Sequence, residues 1–245
     1  MLLVLPPSET KREGGASDAR PLDLGSLGFA ELTPQRRAAV AALKRLSRSV
    51  SGSMKALKLG ATQRAEVDRN RAVTVSPVMP ALDRYTGVLF DGLDASTLTT
   101  EERAFADSHV VIHSALLGLL RAGDGVPAYR LSHDSRLPGV SLRTLWRAPV
   151  STALHRVGGL VIDLRSESYV SLGPAAGHYV RVVSQDESGR RLALSHFNKK
   201  AKGEFVRAIT RSGIDHESLD SLLAWAEAQS IRLEVTGESS LDLVV

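Results

Sequence analysis

Residues 160–169 read LVIDLRSESY. Leu160 to Leu164 form a nearly continuous apolar run, the signature of a strand buried on both faces, as in a parallel sheet. At its end and just past it come Asp163, Arg165, Ser166, Glu167 and Tyr169. Open α/β sheets carry their ligand sites at the carboxyl ends of strands, so these five side chains are site candidates. An Asp163–Arg165 ion pair closing a loop is the competing reading, and it needs no ligand.

Further strands appear on either side. LLVLP at residues 2–6 reads as a short buried strand, and HVVIHSALLGLL at 109–120 as a buried strand running into a turn. Residues 178–197 resemble a β-hairpin turning at Glu187-Ser188-Gly189, and IRLEVTGE and LDLVV close the chain as strands. Helical patterns lie between them. Thr33-Pro34 signals a helix start with Thr as N-cap, and RRAAVAALKRLSRSV at 36–50 follows. Ala39, Ala42, Leu43 and Leu46 line one side of it, and the other side is assigned Arg36, Arg37, Lys44, Arg45 and Arg48. Thr99-Thr100-Glu101-Glu102 opens another helix, and Leu219, Leu222, Leu223 and Ala226 give core spacing in a later one. Residues 141–157 read as a helix broken at Pro149, and YTGVLF at 85–90 as a strand or loop entry. With no internal repeat and no dividing linker, the expectation is a single domain over residues 1–245. Its class is α/β (mixed α+β), with a central mixed sheet, flanking helices and a basic cleft.

Composition narrows the function. The 245 residues include no cysteine, which excludes disulfides, thiolate catalysis and thiolate metal sites from this chain. The net charge of +4 is compatible with nucleic acid or acidic small molecules. No apolar run reaches 18 residues, so no membrane helix is expected. MLLVLPPSETK lacks a basic leader, which makes the cytoplasm the expected location.

The strongest charge cluster is HFNKKAKGEF at 196–205. On a helix at about 100° per residue, Lys200, Arg207 and Arg211 lie within roughly 40° of one another, with Gly203 beside them. Phe205, Ala208 and Ile209 fall opposite, as a core face. Lys199 and Lys200 sit in the first turn, where the helix dipole is unfavourable to cations, and a bound phosphate would offset that cost. Neutralisation by acids such as Glu204 would offset it equally. Lys202 completes the cluster.

Other candidates are weaker. Ser8-Glu9-Thr10-Lys11 has the S-x-x-K spacing of serine acyl-enzymes, but no K-T-G or S-D-N element accompanies it. A polar loop reaching a ligand, or a plain exposed loop, fits better. Tyr85 and the pair Tyr129-Arg130 can stack on a base and grip a phosphate, or cover a core edge. His109 and His113 lie in an apolar run without acids, as buried structural histidines do. No metal site and no cofactor is indicated.

In order along the chain, several stretches resemble the YaaA family of bacterial peroxide-stress proteins. They are the first strand with Ser8 to Lys11, YTGVLFDGLDA at 85–95, SALLGLLRAGDGVPAYRL at 114–131, LRTLW at 142–146, VIDLRSESY at 161–169 and HFNKKAKG at 196–203. The terminal K-K-A-(R/K)-G pattern is met by Lys199 to Gly203. Glu9-Thr10 stands where relatives often have Pro-Ala. The resemblance implies a single α/β domain with a positively charged cleft. It also implies duplex DNA binding with a helix-hairpin-helix-like element, and a role in limiting oxidative damage by free iron. From the residues, two functions remain open. One is a non-enzymatic protein that binds DNA without sequence preference through the basic helices. The other is an enzyme acting on a nucleotide or another phosphorylated small molecule, using Ser8, Lys11, Asp163, Arg165, Ser166, Lys199 and Lys200.

Overall fold

The computed structural model describes residues 1–15, 20–185, 191–193 and 197–245. Its centre is the strand β1 (Leu2–Leu5), whose four residues are all buried. The remaining strands are β2 (Met79–Pro80), β3 (Val110–Ser114), β4 (Gly118–Arg121), β5 (Gly125–Val126), β6 (Val161–Asp163), β7 (His178–Gln185), β8 (Arg191–Ala193), β9 (Arg232–Gly237) and β10 (Ser240–Val244). The main sheet runs β4-β3-β1-β6-β7-β10-β9, with β8 added beside β7. β1 pairs in parallel with β3 and β6, β6 with β7, and β7 with β10. β4, β8 and β9 are antiparallel additions. Counted along the chain, the five parallel strands therefore lie in the order 2-1-3-4-5. In sheets of this order the chain leaves β1 for one side and returns on the other, which opens a crevice beyond the carboxyl ends of β1 and β6.

The helices are α1 (Thr33–Leu46), α2 (Val50–Ala56), α3 (Ala65–Arg71), α4 (Ala81–Arg84), α5 (Val88–Leu93), α6 (Thr100–His109), α7 (Leu142–Val157), α8 (Glu167–Val170), α9 (Phe197–Ser212) and α10 (Leu219–Ala228). One continuous hydrophobic core joins them to the sheet, built mainly of Leu, Val and Ala. α6 begins with a reciprocal cap: Thr99 Oγ1 accepts from the Glu102 amide at 3.2 Å, and Glu102 Oε2 accepts from the Thr99 amide at 2.9 Å. No helix among the described residues is long and apolar enough to cross a membrane.

The α/β reading holds, and three local readings change. YTGVLF is not a strand: Val88 opens α5, and Leu89, Phe90 and Leu93 turn inward at helical spacing. Pro149 does not break α7, which runs through it while Trp146, Val150, Ala153 and Leu154 hold the same buried face. Packing on both sides of the proline outweighs the missing N–H. Leu32 rather than Thr33 is the cap of α1, with Pro34 in its first turn. The hairpin at 178–197 is present as β7 paired with β8, with Val183 opposite Ala193. Its turn, Glu187-Ser188-Gly189, lies outside the described residues, as does His196.

Candidate functional site

The loop after β1 is pinned to the segment before α5. The Thr86 amide donates to Ser8 Oγ at 3.1 Å, and Ser8 Oγ in turn donates to the Thr10 carbonyl. Thr86 Oγ1 donates to Thr10 Oγ1 at 3.0 Å, and Lys11 pairs with Tyr85 as an antiparallel bridge. Arg84, fully buried, fastens the far side. Its guanidinium donates to the carbonyls of Val126 at 2.8 Å, Gly14 at 2.9 Å and Pro77 at 3.0 Å, and to that of Arg12. The Ser8 hydroxyl is thus engaged in shaping the loop.

Lys11 is what the loop delivers. Its Nζ donates to the Ser8 carbonyl at 3.1 Å and the Glu9 carbonyl at 3.4 Å. It stands 4.1 Å from the ring centre of Tyr129 and 5.1 Å from that of Tyr85. Burial drives its pKa from 10.5 down to about 7, and the Arg130 guanidinium adds to the shift, while Glu66 and Glu9 oppose it. Arg130 is held by its backbone: Asn70 donates to its carbonyl at 2.9 Å and accepts from its amide at 2.8 Å. Its guanidinium pairs with Glu9.

Under Lys11 runs a chain of hydroxyls. Ser114 Oγ accepts from the amides of Leu116 at 3.1 Å and Leu117 at 2.9 Å. Both lone pairs are then occupied, so its proton goes to the Tyr129 hydroxyl at 2.6 Å. The Tyr129 and Tyr85 hydroxyls share one hydrogen bond of 2.8 Å, in which either can donate. One of the two phenol protons therefore finds no acceptor among the described residues. Burial raises the pKa of both phenols, that of Tyr129 to about 12, so both stay protonated at neutral pH.

A second cluster lies at the end of β6. Arg165, fully buried, donates to Asp163 through Nε at 2.8 Å and Nη2 at 2.6 Å. Its Nη1 donates to His113 Nδ1 at 2.8 Å, which puts the imidazole proton on Nε2. Burial, aided by the Arg165 charge, keeps the pKa of His113 well below its ordinary value, so the ring is neutral. Tyr169 joins the two clusters. Its ring meets His113 edge-on at 5.7 Å, and its phenol feels the Tyr129 hydroxyl and Glu9. Lys11, Tyr85, Tyr129, Arg130, Asp163 and Arg165 therefore form one connected region at the carboxyl ends of β1, β3 and β6. Ser166 is exposed at the start of α8.

The members of the α9 lysine cluster separate, and only the buried one of them reaches the end of β6. Lys202 is buried, not part of an exposed basic surface. Its Nζ donates to the Leu164 carbonyl at 3.1 Å and faces the Tyr179 ring, and burial lowers its pKa to about 8. Lys199 and Lys200 are exposed, with Lys200 facing Glu204 at 3.3 Å. Arg207 is docked on the end of α5, donating to the carbonyls of Leu93 at 2.8 Å and Asp94 at 2.9 Å. Arg211 faces Glu102 at 3.4 Å. The Lys200–Arg207–Arg211 stripe thus exists, with a carboxylate beside each member. Arg36 also leaves the basic face assigned to it: fully buried, it donates to the carbonyls of Leu117 at 2.9 Å and Leu119 at 2.7 Å.

Asn70, Glu66 and Ser114 escape a reading of the sequence alone. Asn70 and Glu66 meet Arg130 and Lys11 only through the fold, across about 60 residues of chain, and no local pattern marks them.

The Lys11 environment predicts a pH dependence. Between pH 7 and about 10 the unfolded chain carries a proton that the folded lysine has lost, so stability rises with pH in that window. Below pH 7 both states are protonated and the slope vanishes. Wild type should gain on Lys11→Met by up to about 1.4 kcal/mol per pH unit in that window. Urea denaturation at pH 7, 8 and 9 measures it, and parallel stability curves for the two proteins would refute a buried, destabilised ammonium.

Against this geometry, a family profile described as "Peroxide stress protein YaaA" matches residues 1–229. A UPF0246 protein of Corynebacterium glutamicum (strain R) is 41% identical over 240 residues, covering 96% of this chain and 95% of its own length. A UPF0246 protein of Corynebacterium efficiens is 39% identical over the whole of both chains, and one of Streptomyces coelicolor is 35% identical over 87% of this chain and 84% of its own. With the profile covering nearly the whole chain, and these relatives matching it almost end to end, the protein belongs to the YaaA family of peroxide stress proteins.

Proposed function

We propose that this protein serves in peroxide stress by binding the phosphate backbone of duplex DNA, without sequence preference, through the outer faces of α1, α2 and α7. Coverage of the duplex there would limit iron-driven damage. The observation that carries this reading is charge segregation. No acidic residue occurs between positions 33 and 65, nor between 135 and 162. These two acid-free blocks meet in the fold, where α1 packs on α7 and Arg45 reaches the Pro138 carbonyl. Arg37, Lys44, Arg45, Arg48, Arg143 and Arg147 are exposed there, and none pairs with a carboxylate among the described residues. Cations without a carboxylate partner keep their charge available to replace counterions on a phosphate backbone. The α9 stripe is less suited, since Glu204, Asp94 and Glu102 already stand beside it.

The test is fluorescence anisotropy with a labelled duplex at several salt concentrations. Changing Arg37, Lys44, Arg143 and Arg147 together to Gln should reduce the log–log salt slope by about 0.9 for each phosphate that the variant no longer neutralises. A Lys199→Ala, Lys200→Ala protein should bind as wild type does. The reverse pattern would return the interface to α9, and absence of wild-type binding at low salt would remove DNA from the account.

A second reading rests on a different observation, the polar region at the β1/β6 crevice. Its buried amine, hydroxyl chain and neighbouring Arg130 suit a nucleotide or another phosphorylated small molecule.

A further inference from the structure

Lys11 is one of two buried lysines without a carboxylate partner among the described residues; the other, Lys202, has the Leu164 and Arg165 carbonyls and the Tyr179 ring beside it, away from the first loop. Arg36 and Arg84 are satisfied by several carbonyls each, and Arg165 by a carboxylate and an imidazole. Lys11 has two carbonyl partners, one of them distant, and no carboxylate within ion-pair distance among the described residues. Two aromatic rings stand beside it. An amine in such a place, with its pKa lowered to about 7, has a large unprotonated fraction at neutral pH, with its lone pair available. It also sits on the first loop of the β1/β6 crevice, where sheets of this strand order bind ligands. The hydroxyl chain beneath it, Ser114, Tyr129 and Tyr85, leaves one phenol proton without an acceptor among the described residues.

We propose that Lys11 is a carbonyl-capturing amine, whose Nζ condenses with an aldehyde carried by a phosphate-bearing ligand in the β1/β6 crevice. This rests on the second reading above and is independent of the α1–α7 face. The lone pair of Nζ forms a bond to the carbonyl carbon, and the carbonyl oxygen takes a proton, for which the Tyr85–Tyr129 phenol pair is the placed donor. The resulting carbinolamine loses the proton remaining from the attacking nitrogen. Its C–O bond then breaks, and water departs with a second proton taken up by the oxygen. In net terms, amine, aldehyde and one proton give an iminium ion and one water. With Lys11 uncharged, Arg130 is the cation that faces the phosphate, since Glu9 occupies only one of its terminal nitrogens.

Two kinds of molecule carry such an aldehyde: a small sugar-phosphate-like aldehyde, and an abasic site in DNA. The experiment incubates the whole protein with cyanoborohydride and either glycolaldehyde phosphate or a duplex containing one abasic site. Intact mass and peptide mapping then locate the reduced adduct. One adduct at Lys11 is expected, absent from folded Lys11→Arg and Lys11→Met proteins, and at least tenfold slower to form in Arg130→Gln. Trapping with the small aldehyde alone assigns a small-molecule ligand, and trapping with the duplex alone assigns DNA. Adducts scattered over exposed lysines at the rate seen in Lys11→Arg would overturn the proposal, as would no adduct with either probe. Calorimetry with glycolaldehyde phosphate, without reductant, separates the two levels. Binding without an adduct overturns the chemistry and leaves the ligand site, whereas no binding of either probe overturns both.

Discussion

Gly203→Ala is expected to destabilise the protein by about 3 kcal/mol, the upper range for forced overpacking. Elsewhere in a helix the same change is favourable by up to about 1 kcal/mol, because alanine loses less backbone freedom than glycine. Here the sign reverses because α9 crosses α5 at Gly203. A Cβ on Gly203 would overlap the Leu89 carbonyl oxygen and stand 2.9 Å from the Leu93 amide nitrogen. A Cβ on Gly92, its counterpart on α5, would stand 2.7 Å from the Lys200 carbonyl oxygen. Both obstacles are backbone atoms of helices, so no rotamer change relieves them, and the two helices must separate. Separation also withdraws Arg207 from the Leu93 and Asp94 carbonyls. At roughly 2–4 °C per kcal/mol for a chain of this size, the melting temperature should fall by about 6–12 °C. A calorimetric scan decides it, and an unchanged or raised melting temperature would show that the two helices are not closely packed.

This use of Gly203 shows what the sequence conceals. By itself K-K-A-K-G reads as an anion-binding motif, with the glycine serving the ligand. In the fold the glycine serves helix packing, and its neighbour Lys202 serves the β6 loop. The placement of Lys202 is nonetheless legible. On the wheel that turns Phe205 and Ile209 inward, Lys202 falls about 20° from Ile209 and about 160° from Lys200. Arg36 is the same case, since it lies among Ala39, Val40 and Leu43 on the apolar side of α1. Grouping residues by charge rather than by angle puts both cations on surfaces they do not occupy. Buried arginines and lysines with carbonyl partners are rare enough that charge is the natural first guess.

Other elements are legible for a plain reason. β1, β6 and α10 carry dense apolar patterns, and their local sequence agrees with their burial. The strand order is not legible, because β1 pairs with strands more than 100 residues away and parallel pairing leaves no turn signature. Part of the candidate site shares that fate. Ser8, Lys11, Tyr85, Tyr129, Arg130, Asp163 and Arg165 can be named from strand ends and motif spacing. Asn70 and Ser114, which orient Arg130 and Tyr129, are ordinary residues until the fold brings them there.

The pair at the end of β6 sets the largest effect. Arg165→Met is expected to cost about 3–5 kcal/mol, the range for removing one partner of a buried ion pair. Methionine fills much of the volume, so the loss is electrostatic rather than a cavity. The Asp163 carboxylate loses two charge-assisted hydrogen bonds and keeps the Arg165 amide, at 3.1 Å, as its remaining donor from that residue. His113 Nδ1 loses its donor as well, and its Nε2 already lacks a partner among the described residues. The expected cost therefore belongs to stranded groups, and this dictates the control. Asp163→Leu combined with Arg165→Met removes both charges and should recover most of the stability, since a buried ion pair and an apolar pair of similar volume differ little. Equilibrium urea denaturation of both single variants and the double variant gives the coupling, with circular dichroism confirming the fold. A double variant as unstable as the sum of the singles would mean that Asp163 and Arg165 act separately. Recovery of stability would leave a ligand-free role for the pair, and the crevice would then owe its specificity to Lys11, Tyr85 and Arg130. Loss of aldehyde trapping in a stable double variant would instead make Arg165 a positioning residue, acting on Lys11 through His113, Tyr169 and Tyr129.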